Sequence, residues 1–242
     1  MSKRTYPTFH FQQFQVEHND SAMKLGVDGV LLPAWADLST AKSIYDVGSG
    51  CGIVSLVCAQ RNSEALIHAV EIEEKAFKEA SYNFQQSPWS DRLSISYGKF
   101  QDELNKQKEL DVIISNPPFF LDSLASEKGD RALARHNVDF DFDLFFQMSF
   151  EGLSEKGMLY LVFPTESSDW LIQKALNKKL YMHRLATVLP TPGKESKRSL
   201  FAFGKEEVKC EKEEFAIETG RKEYTTEYTN LVKDFYLGFS KS

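Results

Sequence analysis

Ser43-Ile44-Tyr45-Asp46-Val47-Gly48-Ser49-Gly50-Cys51-Gly52 reads as a short apolar strand running straight into a glycine-rich loop. Glycines at alternate positions mark backbone that takes positive φ or lies against a ligand, since a Cβ would hinder both. A helical run to about Gln60 follows. Strand, loop and helix in that order open a doubly wound α/β fold. The dinucleotide fingerprint is G-x-G-x-x-G, whereas Gly48, Gly50 and Gly52 follow G-x-G-x-G, with Asp46 two positions ahead of the first glycine. A second strand, Ala65–Ile72, carries Glu71 near its end, about where such folds keep a carboxylate for ribose hydroxyls.

Downstream, Asp111-Val112-Ile113-Ile114-Ser115-Asn116-Pro117-Pro118-Phe119 places an amide, two prolines and an aromatic ring at the end of a buried strand. Proline removes ladder hydrogen bonds and ends the strand there. The result is a rigid cluster of acceptors. The Asn116 side-chain oxygen and the Pro117 carbonyl can both accept from a planar NH2 group, and Phe119 offers a face to an aromatic base. Each feature alone has an ordinary explanation: a tight strand-to-helix turn, a solvated strand-end acid, a Pro-Pro loop. Their order tells against three coincidences, because ligands of α/β sheets sit outside the carboxyl ends of the strands and all three would face one crevice. The glycine spacing favours S-adenosylmethionine over NAD as the ligand.

Working outward, apolar β-rich runs recur at Ser43–Val47, Ala65–Ile72, Leu93–Tyr97, Leu110–Ser115, Met158–Phe163, Arg184–Leu189 and Ser199–Phe203. Helices are expected over Gly52–Gln60, Glu73–Gln85, Phe142–Leu153, Ser167–Asn177 and Thr226–Phe239. Strand alternating with helix predicts an α/β fold, a single Rossmann-like, seven-stranded, mostly parallel sheet with helices on both faces. The connection Pro190–Arg198 is too short for a parallel crossover, so the last strand should run antiparallel. One domain is expected over 1–242: an extension (1–42) contributing to the site, a core (43–204), and a C-terminal strand near Phe215–Ile217 with a helix (205–242). Leu121–Phe140 has no clean period and holds Lys128, Arg131, Arg135 and His136. A loop that closes over a base or grips phosphates is the favoured reading.

Bulk composition bounds the rest. Hydrophobic content of 42% and charged content of 26% are those of a soluble globular protein, and no apolar run approaches the roughly 18 residues of a membrane span. The N-terminus lacks the apolar stretch of a secretory signal, so a cytoplasmic location without membrane partners is expected. Cys51, Cys58 and Cys210 have no C-x-x-C spacing and the five histidines no paired spacing, so no disulfide framework and no metal is expected. Cys51 reads as a small buried filler. A net charge of −6 argues mildly against nucleic acid, but Lys178–Lys205 carries seven basic residues against one acid, Glu195. A local patch of this kind, with Lys194, Lys197 and Arg198, suits RNA beside a site.

With the loop and the amine site in this order, the chain resembles the class I S-adenosylmethionine-dependent methyltransferases with an N-P-P-[FYW] motif. It is most similar to the bacterial tRNA1(Val) (adenine(37)-N6)-methyltransferase family, through Phe9–Phe14, Met23–Leu32, Asn83–Trp89, Ile113–Phe119, Ala134–His136 and Tyr236. The resemblance covers most of the chain. It implies S-adenosylmethionine as cofactor and tRNA as partner, with Asn116, Pro117 and Phe119 at the reacting amine. Gly48, Gly50 and Gly52 would approach the methionine part, Glu71 the ribose, and Asp46 the loop and the cofactor amine; Lys24 and Asp28 would lie near the methionine end. Arg131, Arg135, His136, Lys194, Lys197 and Arg198 would meet RNA. A monomer is expected, with weak dimerisation as the alternative. Lys99 departs from the pattern, standing where an acid is expected. Other planar amines, in DNA adenine, ribosomal guanine N2 or a release-factor glutamine, are the alternatives within methyl transfer. A non-catalytic cofactor-binding module is the alternative outside it, and a dehydrogenase leaves N-P-P-F unexplained.

Overall fold

Apolar side chains along the central strands alternate strictly between two cores. Ile44, Val112, Ile114, Tyr160, Val162, Leu200 and Ala202 pack into one, and Tyr45, Ile113, Leu159, Leu161, Phe163, Phe201 and Phe203 into the other. A period of two with both faces buried requires a sheet covered on both sides. The computed structural model describes residues 8–19, 25–118, 140–221 and 223–239. A hairpin, β1 (Phe9–His10) and β2 (Gln15–Val16), leads into α1 (Val27–Trp35). The alternation then runs β3 (Ser43–Val47), α2 (Ile53–Arg61), β4 (Leu66–Glu71), α3 (Glu74–Gln86), β5 (Leu93–Tyr97), α4 (Phe100–Leu104) and β6 (Leu110–Ser115). After it come α5 (Phe142–Gly152), β7 (Leu153–Phe163), α6 (Ser168–Asn177), β8 (Tyr181–Leu189), β9 (Arg198–Gly204) and β10 (Glu211–Ala216). A second hairpin, β11 (Glu218–Gly220) and β12 (Glu223–Tyr224), precedes α7 (Thr226–Val232).

The large sheet has the order β10-β8-β9-β7-β6-β3-β4-β5. All seven expected strands are in it. β9 runs antiparallel to both neighbours, as the short Pro190–Arg198 connection requires, while β10 is parallel to β8 and adds an eighth strand. Its sequence, Glu-Lys-Glu-Glu-Phe-Ala, has charges where an apolar strand is sought, and those charges suit an edge that must not recruit another strand. Helices α1, α2 and α7 cover one face; α4, α5 and α6 cover the other.

Two elements depart from expectation. The helix sought over Thr226–Phe239 stops at Val232. Beyond it the Gln12 backbone N–H donates to Phe235 O at 2.8 Å, the Gln12 side chain donates to Lys233 O and Tyr236 O, and Phe11 bridges to Tyr236. The N-terminal segment claims carbonyls that another helical turn would have used. Conversely, α1 forms although Pro33 lies inside it. Proline there removes the N–H that would bond to Gly29 O, while Arg61 caps the end of the helix by donating to Pro33 O at 2.6 Å and to Ala36 O.

Candidate active site

Strands β6, β3, β4 and β5 lie side by side and parallel, so their carboxyl ends share one edge of the sheet. Chain order reverses at β3, which has β4 on one side and β6 on the other, and a crevice opens at such a point. Gly48, Gly50 and Gly52 take φ of +74°, +55° and +86°. The Gly48 and Ser49 N–H groups donate to Val70 O at 3.0 and 3.2 Å, tying the loop to β4. Added Cβ atoms on Gly48 and Gly50 would meet nothing within 4 Å, whereas one on Gly52 would lie 2.5 Å from Phe84 Cε1. Two glycines therefore keep the crevice open, and the third lets the loop pack on α3.

Three carboxylates stand around the loop. Glu71 ends β4 with Oε2 accepting from Gly50 N–H at 2.8 Å and Oε1 from Ile72 and Glu73 N–H at 2.9 Å each. Burial raises its pKa, against the pull of those N–H donors. Asp46 is buried beneath the loop; Oδ2 accepts from Ser55 Oγ at 2.7 Å and Oδ1 has no partner. Burial pushes its pKa up to about 7, with the Ser55 hydroxyl opposing and the charge of Glu71 adding. Asp28, on α1, pairs with Arg198 at 2.6 Å; burial raises its pKa although the guanidinium opposes this.

Ser115 Oγ donates to Val47 O at 2.7 Å, clamping the end of β6 onto the end of β3. The next side chain, Asn116, has a buried Oδ1 with no hydrogen-bond partner. Such an atom costs free energy unless something arrives to bond it. Pro117 is buried and brings no N–H to satisfy its neighbours. A cleft of about 290 Å³ runs from Gly48 and Gly50 past Glu71 and Ile72 to Phe100 and Gln101. A smaller cavity of about 90 Å³ is lined by Gly26, Asp28, Ser49 and Cys51. Gly48, Gly50 and Asn116 line both, so the Asn116 amide stands where the two meet.

The structure thus brings together Asp46, Gly48, Gly50, Gly52, Glu71, Asn116 and Pro117, with Asp28 beside them. Lys194 and Lys197 are exposed on the loop between β8 and β9. Arg198, expected to meet RNA, is partly exposed and donates to Asp28 Oδ1. Lys24, Phe119, Arg131, Arg135 and His136, and the Leu121–Phe140 loop except Phe140, lie outside the described residues. Lys99 lines the cleft with an exposed side chain. Burial pushes the Cys51 thiol up to about 12, which suits a filler. Ile72, Gln101 and Phe140 line the cleft without having been anticipated. Ile72 carried a signal, an apolar side chain just past the strand end, and it is 36% exposed. Phe140 carried none, since it closes an aperiodic stretch.

A profile of the methyltransferase small domain matches residues 29–178. A protein of Flavobacterium psychrophilum is 38% identical over 95% of this chain and 99% of its own length, and one of Bacteroides thetaiotaomicron is 39% identical over 96% and 98%. Both are named tRNA1(Val) (adenine(37)-N6)-methyltransferase. The chain belongs to this methyltransferase family. The fold agrees: a predicted O-methyltransferase of Agrobacterium tumefaciens superposes with a TM-score of 0.68 at 18% identity, over 84% of this chain and 94% of its own. The CcbJ methyltransferase of Streptomyces caelestis gives 0.56 at 11% identity, over 75% and 90%.

The cofactor of the methyltransferase is S-adenosylmethionine, and the site fits it. A cation with a ribose diol suits partnerless buried oxygens on Asp46 and Ser49 beside the carboxylate of Glu71. The glycines keep the backbone open to it. Among the described residues no helix is long and apolar enough to cross a membrane.

Proposed function

We propose that this methyltransferase acts in the cytoplasm on N6 of an adenosine in tRNA, the anticodon-loop adenosine 37 of tRNA1(Val), the substrate named for its relatives. The observation that carries the reading is the buried, partnerless Asn116 Oδ1 at the junction of the two cavities. S-adenosylmethionine supplies a methyl group on a sulfonium. Glu71 holds its ribose in the larger cleft, Gly48 and Gly50 let its methionine part pass where the two cavities meet, and Asp46 and Asp28 attract its ammonium end.

The exocyclic nitrogen of adenine donates its lone pair into the ring and is a poor nucleophile. Asn116 Oδ1 and the Pro117 carbonyl accept its two hydrogens, favouring a pyramidal nitrogen whose lone pair faces the methyl group. Phe119, by the motif, stacks on the base. Fixing two reactants in line lowers a barrier by roughly 7–11 kcal/mol, so positioning carries the step with no covalent nucleophile and no metal. The base must first leave its stack, which costs least in an unpaired loop. One domain, 1–242, acts as a monomer in this reading. The test is mass spectrometry of tRNA nucleosides from cells lacking the protein, with transfer of labelled methyl to purified tRNA1(Val). A single missing N6-methyladenosine, restored in vitro, supports the reading; a missing methylguanosine, or labelled DNA or protein, overturns it.

A further inference from the structure

Asp28 lines the small cavity, and its Oδ1 accepts from Arg198 Nη1 at 2.6 Å. The two side chains are 20% and 32% exposed, so the pair is partly withdrawn from water. Arg198 is rigidly carried. It opens β9 opposite Val188, and Ser196 Oγ lies 2.9 Å from its carbonyl and 2.8 Å from that of Val188. Lys194 and Lys197, its basic neighbours in sequence, are exposed, so the arginine is the member of the basic loop that turns inward.

Resting on the cofactor assignment, the two cavities divide the ligand by size. The nucleoside takes the larger cleft, where Glu71 stands, and Asn116 marks the sulfur between them. The amino-acid tail is left with the cavity of about 90 Å³. That tail is a zwitterion, and an Asp–Arg pair is its electrostatic mirror. We infer that Asp28 and Arg198 form a counter-zwitterion for the tail of the cofactor: the carboxylate of Asp28 receives the ammonium and the guanidinium of Arg198 receives the carboxylate. Arg198 is therefore a cofactor-positioning residue and not an RNA contact.

Before the ligand arrives each charge neutralises the other, which spares the fold an unpaired charge at the cavity wall. With the ligand in place the four charges alternate and the cavity stays neutral. A guanidinium has five N–H donors in a planar fork, and the bond to Asp28 engages Nη1, so donors remain for a carboxylate.

The experiment compares two ligands by calorimetry: S-adenosylhomocysteine, which has the tail, and 5′-methylthioadenosine, which lacks it. Arg198→Met, which keeps the apolar stem, should weaken the first about tenfold or more, the order for one charge-assisted bond, and the second less than about twofold. Arg198→Lys should fall between. Lys197→Gln should leave both affinities unchanged while raising the KM for tRNA. Equal weakening of both ligands by Arg198→Met would reduce Arg198 to a structural role and overturn the inference. So would unchanged binding of both with a raised KM for tRNA, which would return the residue to RNA. Binding of S-adenosylhomocysteine by the unaltered protein reports separately on the cofactor assignment. Should Arg198→Met not fold, Asp28→Asn in the same comparison decides, with selective loss of S-adenosylhomocysteine supporting the inference and equal loss overturning it.

Discussion

Asp46 is 1% exposed and has one bonded oxygen, to Ser55, and one without a partner. Its carboxyl titrates near 7 in the folded chain against 3.8 as the ordinary value, so folding favours the protonated form. The sign follows: the native state binds the proton more tightly than the unfolded chain, and this contribution to stability is full below about pH 4 and is lost as pH rises through about 7. Asp46→Asn should therefore melt higher than the parent, by a margin that grows from about pH 4 to about pH 7 and then levels, at about 2–4 °C per kcal/mol relieved. Calorimetric scans at several pH values check it, and a constant margin would remove Asp46 as the cause. Asn116→Ala should act differently, keeping cofactor affinity and lowering kcat by about a hundredfold or more, the order for one positioned group acting on a proton or a developing charge. Single-turnover transfer at saturating cofactor measures this, and undiminished turnover would remove Asn116 from the chemistry.

At the scale of elements, the three glycines separate into two kinds. Gly52→Ala strains a left-handed backbone and drives a methyl against Phe84, so a loss of about 2–4 kcal/mol is expected in urea unfolding. Gly50→Ala meets nothing within 4 Å and should cost about 1–2 kcal/mol from backbone strain alone, yet remove most cofactor binding because its methyl enters the cleft. Equal binding by Gly50→Ala and the parent would place the ligand elsewhere. Spacing made these glycines visible as a group; it did not separate their roles, because Phe84 is brought to Gly52 by the docking of α3. The central strands were legible for a simple reason: β3, β6, β9 and the second half of β7 are buried on both faces and read as continuous apolar runs. Helix α1 was not, since Pro33 masks it, and the side chain that caps its last carbonyls, Arg61, comes from α2. The early end of α7 was hidden in the same way, by a competitor, Gln12, from the other end of the chain.

For the whole molecule, a net charge of −6 and a basic loop describe a protein whose field repels RNA generally and attracts it locally. Replacing Lys194 and Lys197 together by glutamine should raise the KM for tRNA and flatten the dependence of log affinity on log salt by roughly 1.4, two phosphate contacts at the slope for single strands. Filter binding from low to high salt checks it, and an unchanged slope would move the RNA off this loop. The amino-acid sequence by itself determined the strand set, the glycine loop, the strand-end acid and the N-P-P-F corner, because these are local: they depend on periodicity, on which residues tolerate positive φ, and on which lack an N–H. Tertiary structure alone decided that Asn116 meets Gly48 at the mouth of two cavities, that Glu71 closes on Gly50, and that Arg198 turns inward to Asp28 across 170 positions of chain. Such contacts join residues far apart in sequence, and only the packing of one element on another sets which charge finds which partner.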